Sequence, residues 1–374
     1  MSQDYTSLGL MSGTSGDGVD ASIIKSDGKS KYEEILNDYF EYDKEIYEKI
    51  HSLKENIHNP TDLQKYSNEL KSLEKEITLF HAKAITSISR DMKVDIVGFH
   101  GQTVYHNSQE KISKQLGDGI LLSKLTKKNI VYNFRANDLK NGGEGAPLTP
   151  IFHQLIATQH KLDLPLCILN IGGISNITIV GEPVGSLSFT SRDIGPGNCL
   201  IDSWVRKNSN QNFDKDGILA AKGTRSEAVF EQAQELFANR PNQNNLSFDV
   251  NDFDVSFSRG LSLEDGATTL TDFTARVIGT ALFSLLSKVN TKLWKVLICG
   301  GGRKNKVLLE KIKKNTLQNI IIQPIDDYGI DGDFVESQAF AYLAIRSLLK
   351  LPISFPETTR VNKACIGGII ADFK

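Results

Sequence analysis

The chain has 374 residues, with 43 basic against 45 acidic side chains and a formal net charge of −2. It is too long for one small core, which predicts two domains, or three at most, and it lacks the basic excess that a nucleic-acid or anionic-membrane partner requires. Its four cysteines, Cys167, Cys199, Cys299 and Cys365, are scattered without a CxxC pair, which argues against a disulfide scaffold or zinc site and predicts reduced thiols. With no basic leader into an apolar run and no stretch long enough to span a bilayer, the expectation is a soluble, cytoplasmic protein.

In chain order, Ser7 to Met11 and Val19 to Ile24 read as two short strands joined by the glycine-rich loop of "GLMSGTSGDGVDA". Gly13, Gly16 and Gly18 allow close backbone approach, so the amides of Ser12 to Asp17 can line an anion-binding nest. Hydroxyls of Ser12, Thr14 and Ser15 add donors, while Asp17 and Asp20 suit a phosphate that carries Mg²⁺. A tight hairpin that holds nothing fits the same residues, and the lysine of a GxxxxGK[ST] loop is missing.

From Lys29 to Lys93 the chain is rich in Lys, Glu, Tyr and Leu. Two helices are expected there, broken at Pro60, with Thr61 and Gln64 resembling a capping box. In the second, Tyr66, Leu70, Leu73, Ile77, Phe80 and Ala84 form one stripe, and the charges form a solvated outer face with no chemistry assigned. Val94 to Phe99 reads as a buried strand ending at His100, Gln102 and Thr103, where ligands collect in α/β sheets, although a histidine there equally suits an interior position. A short strand follows at Ile130 to Phe134, and the turn-forming loop "NDLKNGGEGAPLTP" marks a boundary near residue 150.

Beyond it, "LCILNIGGISNITIV" repeats the strand, glycine turn, strand layout of the opening hairpin. "FTSRDIGPGNCLIDSWV" supplies an acid, a Gly-Pro-Gly turn and an amphipathic helix from about Asn198, and "VLICGGGRKNKVLLEKIKK" is strand, triple glycine, helix. Each half thus opens with a glycine-turned hairpin and continues into mixed strand and helix, which predicts two similar α/β lobes.

Seven segments carry a resemblance in the same order: "GLMSGTSGDGVDA", "GFHGQTVYH", "GGEGAPLTP", "LNIGGISNIT", "RDIGPGNCLIDSW", "ICGGGRKN" and "ESQAFAYLA". They resemble the motifs of the anhydro-N-acetylmuramic acid kinases, of the actin, Hsp70 and sugar kinase superfamily, from Leu8 to Arg346. The resemblance implies an α/β fold of two actin-like, ribonuclease H-like ATPase lobes with a nucleotide cleft between them, taken here as residues 1–150 and 151–374. It also implies a kinase that uses ATP and Mg²⁺ to phosphorylate O6 of 1,6-anhydro-N-acetylmuramic acid while water opens the anhydro bridge, giving N-acetylmuramic acid 6-phosphate for cell-wall recycling. A symmetric dimer goes with it.

By that resemblance Gly13, Thr14, Ser15, Gly16, Asp17, Gly18 and Asp20 form the first phosphate loop, with Asp17 as the partner of Mg²⁺ or its waters. Gly172, Gly173 and Asn176 form the second, and Gly300, Gly301, Gly302 and Asn305 lie against adenine. Asp193 is the implied base that takes a proton from the attacking water; an acid that merely organises its turn is the alternative. Asp202 reads as a surface or interdomain residue. Glu336 resembles a family residue that contacts the sugar, while His100, Gln102 and Thr103, from their place after the strand, and Arg192, from its charge beside Asp193, are sugar candidates on their own residues. The chain departs from the family with Gly16 where Met is usual, which predicts a looser loop. It departs again with Arg192 and Ile194 where Phe and Thr are common, with Glu144 in place of Gln, and in its last stretch. Arg192 would hold the Asp193 carboxylate ionised or meet the lactyl carboxylate of the substrate. A levoglucosan-type kinase and a non-catalytic nucleotide switch share the phosphate motifs and stand as rivals.

Overall fold

The computed structural model describes residues 3–90, 92–181, 189–239, 247–287 and 293–373. β1 (Tyr5–Ser12) and β2 (Gly18–Ser26) form the expected antiparallel hairpin, with Leu10 opposite Ala21. β3 (Tyr32–Glu41) then pairs with β2, so the region expected to be helical from residue 29 opens with a strand. Its alternation is hidden because it is an edge strand: Tyr32 is buried while Glu33, Glu34 and Asp38 are exposed, the charged guard that an open edge needs.

α1 (Lys44–Asn56), α2 (Pro60–Lys65) and α3 (Ser67–Ile88) follow. The expected stripe holds, with Leu70, Leu73, Ile77 and Ala84 buried. The capping box lies two residues earlier than expected, between Asn59 and Asp62, because Pro60 occupies the first helical position where its missing N–H costs nothing. β4 (Ile96–Asn107), β5 (Ile112–Leu116), α4 (Gly119–Thr126), β6 (Ile130–Tyr132), α5 (Ala136–Lys140) and α6 (Pro150–Gln159) complete the first stretch. The middle holds β7 (Leu166–Ile171), β8 (Ile174–Val180), β9 (Phe189–Pro196), α7 (Cys199–Asn208), α8 (Glu227–Ala238), α9 (Leu263–Leu286), β10 (Trp294–Cys299), α10 (Lys306–Lys314) and β11 (Ile320–Pro324). The chain ends with α11 (Val335–Leu348), α12 (Pro356–Thr359) and β12 (Ile369–Ala371).

These elements form two compact α/β units. The first comprises Met1–Leu162, Phe189–Ser191 and Asp333–Lys374, and the second Asp163–Ser188 and Arg192–Gly332. The division differs from a single cut at 150 because the chain returns: α11 packs on β1, β2 and β4, and Ser22 and Ser337 hydroxyls meet at 2.6 Å. Gly9 and Gly98 make room for it, since a Cβ at either would strike the α11 backbone at Ser337 or Phe340.

The first unit is built on a mixed sheet in the order β12-β6-β4-β1-β2-β3, with β5 against β4. The second has the order β11-β10-β7-β8-β9, in which β7 pairs parallel to β10 and antiparallel to β8. Apolar faces of α9 bury Ile278 and Leu282 against the second sheet, and Leu270 and Phe273 against α7 and α8. Such sites lose about 2–5 kcal/mol on truncation to Ala. All four cysteines are free thiols; Cys167 and Cys299 are buried, and burial raises the Cys167 thiol above the ordinary range. Among the described residues no helix is long and apolar enough to cross a membrane.

Candidate active site

The loop between β1 and β2 is held by its carbonyl groups. Gln102 Nε2 donates to Gly13 O at 3.0 Å, Lys54 Nζ to Thr14 O at 2.6 Å, and His51 Nε2 to Ser15 O at 2.8 Å. The Tyr42 amide donates to Asp17 O at 2.9 Å, and Ser12 Oγ to Gly18 O at 2.9 Å. The Gly16 amide turns inward to Gly13 O at 3.1 Å, whereas the amides of Thr14, Ser15 and Asp17 meet no acceptor among the described residues. Backbone N–H groups are rarely left without a partner. With its carbonyls tied and three amides vacant among the described residues, the loop has the make-up of an anion-binding nest.

Gly16 takes φ +63°, and a Cβ there would lie 2.9 Å from Ile50 Cγ2. The looser loop expected from Gly16 is therefore replaced by one packed against α1. Asp17 is half-buried at the loop's end, its Oδ1 accepting from Ser15 Oγ at 2.5 Å, and Asp20 follows on β2. One or two carboxylates beside phosphate-binding amides form the donor set that Mg²⁺ takes when the phosphates and water supply its other ligands. The residues present therefore fit the ion.

In the second unit the β7–β8 turn is built differently. Gly172 O accepts from the Asn198 amide at 2.8 Å, and Gly173 O accepts from the amides of Gly197 and Cys199 at 2.9 and 3.1 Å. The start of α7 thus grips this turn through the backbone alone. Asn176 Oδ1 is buried and makes no hydrogen bond among the described residues, an orphaned acceptor in a turn assigned to phosphate. After β10, Gly300 adopts φ +80° and Gly302 packs on Ile171. Asn305 Oδ1 caps α10 by accepting from the Leu308 amide at 3.0 Å, so that oxygen serves the helix.

At Gly13, Gly172 and Gly301 an added Cβ would meet nothing closer than 3.6 Å, and none of the three has a positive φ. The fold itself does not require glycine there. Each lies in one of the three turns assigned to nucleotide, where a closely approaching ligand would require it.

Asp193 lies in β9, buried, with Oδ2 accepting from the Phe248 amide at 2.8 Å. That contact fixes the carboxylate, and sequence alone does not announce it because Phe248 is remote in the chain. Strand alternation sends Arg192 and Ile194 to the other face, where they line a cavity of about 300 Å³ with Phe237, Phe273, Arg276 and Val277. Arg192 Nε donates to the Asp193 carbonyl at 3.4 Å. Asp202 is half-buried in the first turn of α7.

The residues assigned to sugar are divided by the first unit. Gln102 is fully buried and accepts from Ser12 Oγ at 2.5 Å while donating to Gly13 O, so it supports the glycine loop. His100 is an interior residue: its Nδ1 lies 2.8 Å from Gly101 O, Arg135 reaches its Nε2 at 3.1 Å, and its ring packs on Phe340. Burial, then the Arg135 charge, hold it well below the ordinary histidine range and therefore neutral. Thr103 Oγ1 accepts from Gln115 Nε2 at 3.1 Å, and Glu336 stands half-buried in the first turn of α11. Sequence reasoning missed His51, Lys54 and Tyr42, which reach the loop from a segment assigned no chemistry.

Residues 5–372 match the family model for anhydro-N-acetylmuramic acid kinase. A Pelagibacter ubique (strain HTCC1062) protein of that name is 55% identical over 372 residues, covering 99% of both chains. One from Agrobacterium fabrum is 36% identical over 385 residues, again covering 99% of both. Among solved structures, a ROK family glucokinase from Streptomyces griseus in complex with glucose and AMPPNP covers 91% of this chain and 99% of its own, at TM-score 0.41 and 11% identity.

Proposed function

This chain belongs to the anhydro-N-acetylmuramic acid kinase family, and on that premise we propose that it transfers the γ-phosphoryl group of ATP to O6 of 1,6-anhydro-N-acetylmuramic acid with hydrolytic opening of the anhydro ring. The observation that carries the reading is the loop from Gly13 to Asp17, with its carbonyls bound from behind and its amides vacant. Phosphoryl transfer asks chiefly for positioning and for fixed donors to spread charge, and such a loop supplies both.

In the proposed step Asp193 takes a proton from water as its oxygen bonds to the anomeric carbon. The bond from that carbon to the bridging oxygen breaks, and O6 takes the phosphoryl group, leaving ADP and the 6-phosphate. The Phe248 amide keeps one Asp193 oxygen in place, which favours its use as a directed base. Asp17, with Asp20 nearby, would hold Mg²⁺, which when bound neutralises charge on the β- and γ-phosphates. Gly172, Gly173 and Asn176 would contact phosphate and Gly300 to Gly302 the adenine, while Glu336, with Thr103, would serve the sugar. A cytoplasmic place in peptidoglycan recycling and a symmetric dimer belong to the same reading.

Mass spectrometry of the sugar after incubation with MgATP tests it, with levoglucosan in a parallel reaction. The expected product from the muramic sugar is heavier by one phosphoryl group and one water. Asp193→Asn should keep nucleotide binding and lower turnover roughly 10²- to 10⁴-fold. Product from levoglucosan alone would move the protein to another anhydro sugar, and ATP binding with no product from either would favour a nucleotide switch.

A further inference from the structure

α1 belongs to the charged stretch that reads in sequence as a solvated face, yet one of its faces is turned to the glycine loop. Ile50, His51 and Lys54 share that face at spacings of one and four residues. Ile50 is fully buried beside Gly16, and Lys54 is only 7% exposed. A lysine so buried is uncommon. Its ammonium donates to the carbonyl of Thr14 at 2.6 Å, and His51 takes the next carbonyl, that of Ser15, at 2.8 Å.

The helix is fastened to the loop at its other end too. Asp43 caps α1 by accepting from the Ile46 amide at 2.9 Å, and the preceding Tyr42 donates its amide to Asp17 O at 2.9 Å and shares a 3.0 Å hydrogen bond with Ser12 Oγ. Lys49, on another face, ties α1 to Glu76 of α3 at 2.8 Å. A peptide group is rigid and planar, so fixing its carbonyl fixes the direction of the N–H on the next residue. Lys54 thereby sets the Ser15 amide, which meets no acceptor among the described residues, and His51 sets the Gly16 amide, which turns inward to Gly13 O and closes the loop.

We infer that Lys54 and His51 are positioning residues of the kinase, through which α1 holds the loop: Lys54 keeps the Ser15 amide turned toward the nucleotide phosphates, and His51 keeps the turn closed behind it. The inference rests on the reading of this loop as the phosphate loop. Loss of Lys54 leaves Thr14 O without its donor and frees the peptide to rotate, so the penalty falls on the nucleotide and not on the sugar.

The test uses the full chain and four variants, reading MgATP affinity by calorimetry, KM for each substrate, and melting temperature. Lys54→Met is expected to weaken MgATP by roughly tenfold or more while the sugar KM stays within about twofold. Lys54→Arg should recover most of the affinity, and Lys49→Met, on the same helix, should leave it unchanged. Wild-type MgATP affinity in Lys54→Met would overturn the inference, as would a rise in both KM values together with a lower melting temperature. Gly13→Val separates the two levels of the argument. If Gly13→Val binds MgATP normally, the phosphate-loop reading falls and this inference with it; if it loses MgATP while Lys54→Met does not, the inference alone falls.

Discussion

The two glycine hairpins have similar sequences and different supports. In the first unit the carbonyls from Gly13 to Ser15 are held by side chains of Gln102, Lys54 and His51, from a strand and a helix distant in sequence. In the second, Gly172 and Gly173 are held by the amides of Gly197 to Cys199, which any residue type with an N–H can supply. One loop is thus set by residue identity and the other by backbone course. Substitution should act on the first through its supporting side chains, and on the second only where the backbone itself is crowded.

The contrast extends to acid, where the largest effect is expected. All seven histidines lie between His51 and His160 in the first unit, and both tryptophans, Trp204 and Trp294, in the second. Burial lowers His81 and His153 from the ordinary 6.5 to about 4 and, with Arg135 adding to it, His106 to about 3. The unfolded chain takes these protons first, so stability is complete above pH 6.5 and is lost as pH falls toward 4 and then 3, by about 1.4 kcal/mol per histidine and pH unit. In the second unit Asp254 and Asp326 are held below 3.8, so what they contribute is lost only as pH falls below that value. Hydrogen exchange at pH 4.5 should show the first unit opening while tryptophan fluorescence stays native. Equal loss of protection in both units would break the comparison.

Gly197→Ala attacks the backbone-built turn. A Cβ at 197 would collide with the Gly172 carbonyl, which is backbone and cannot swing aside. We expect a loss of about 1–3 kcal/mol, read as earlier tryptophan unfolding in urea. An unchanged midpoint would mean that the turn is not clamped from behind.

Gln102→Leu attacks the side-chain-built loop. Gly13 O keeps the Gly16 amide and Ser12 Oγ keeps Gly18 O, so the expected cost is about 1 kcal/mol of stability, with weaker MgATP binding beside it. Unchanged nucleotide affinity with weakened sugar binding would return Gln102 to the role expected from sequence.

The contacts of Gln102 mark the limit of what the chain makes legible. The glycine turns, the α3 stripe and the paired strands at 166–180 are visible because local composition and periodicity specify them. β3 is not, because an edge strand with one buried residue in ten carries its charges where a helix would. Gln102 and His100 follow what reads in sequence as a strand end, yet β4 continues to Asn107 and their partners, Ser12, Gly13 and Arg135, are set by neighbouring elements. The return of α11 to the first sheet and the reach of α1 to the loop are long-range packing, which leaves no periodic trace.

Two asparagines of the second unit give the finest version of the comparison. Asn305 Oδ1 is engaged as the cap of α10, and Asn176 Oδ1 is buried without a hydrogen bond among the described residues. Asn305→Ala should lower stability by about 1 kcal/mol, the usual value of such a cap, and leave MgATP affinity near wild type. Asn176→Ala removes an unsatisfied buried acceptor, so stability should hold or rise while nucleotide affinity falls. Both readouts come from one calorimetric and one thermal titration of each variant. If instead Asn305→Ala loses the nucleotide and Asn176→Ala is silent, the side chain that binds is the one the helix also uses, and the orphaned acceptor has no ligand to meet.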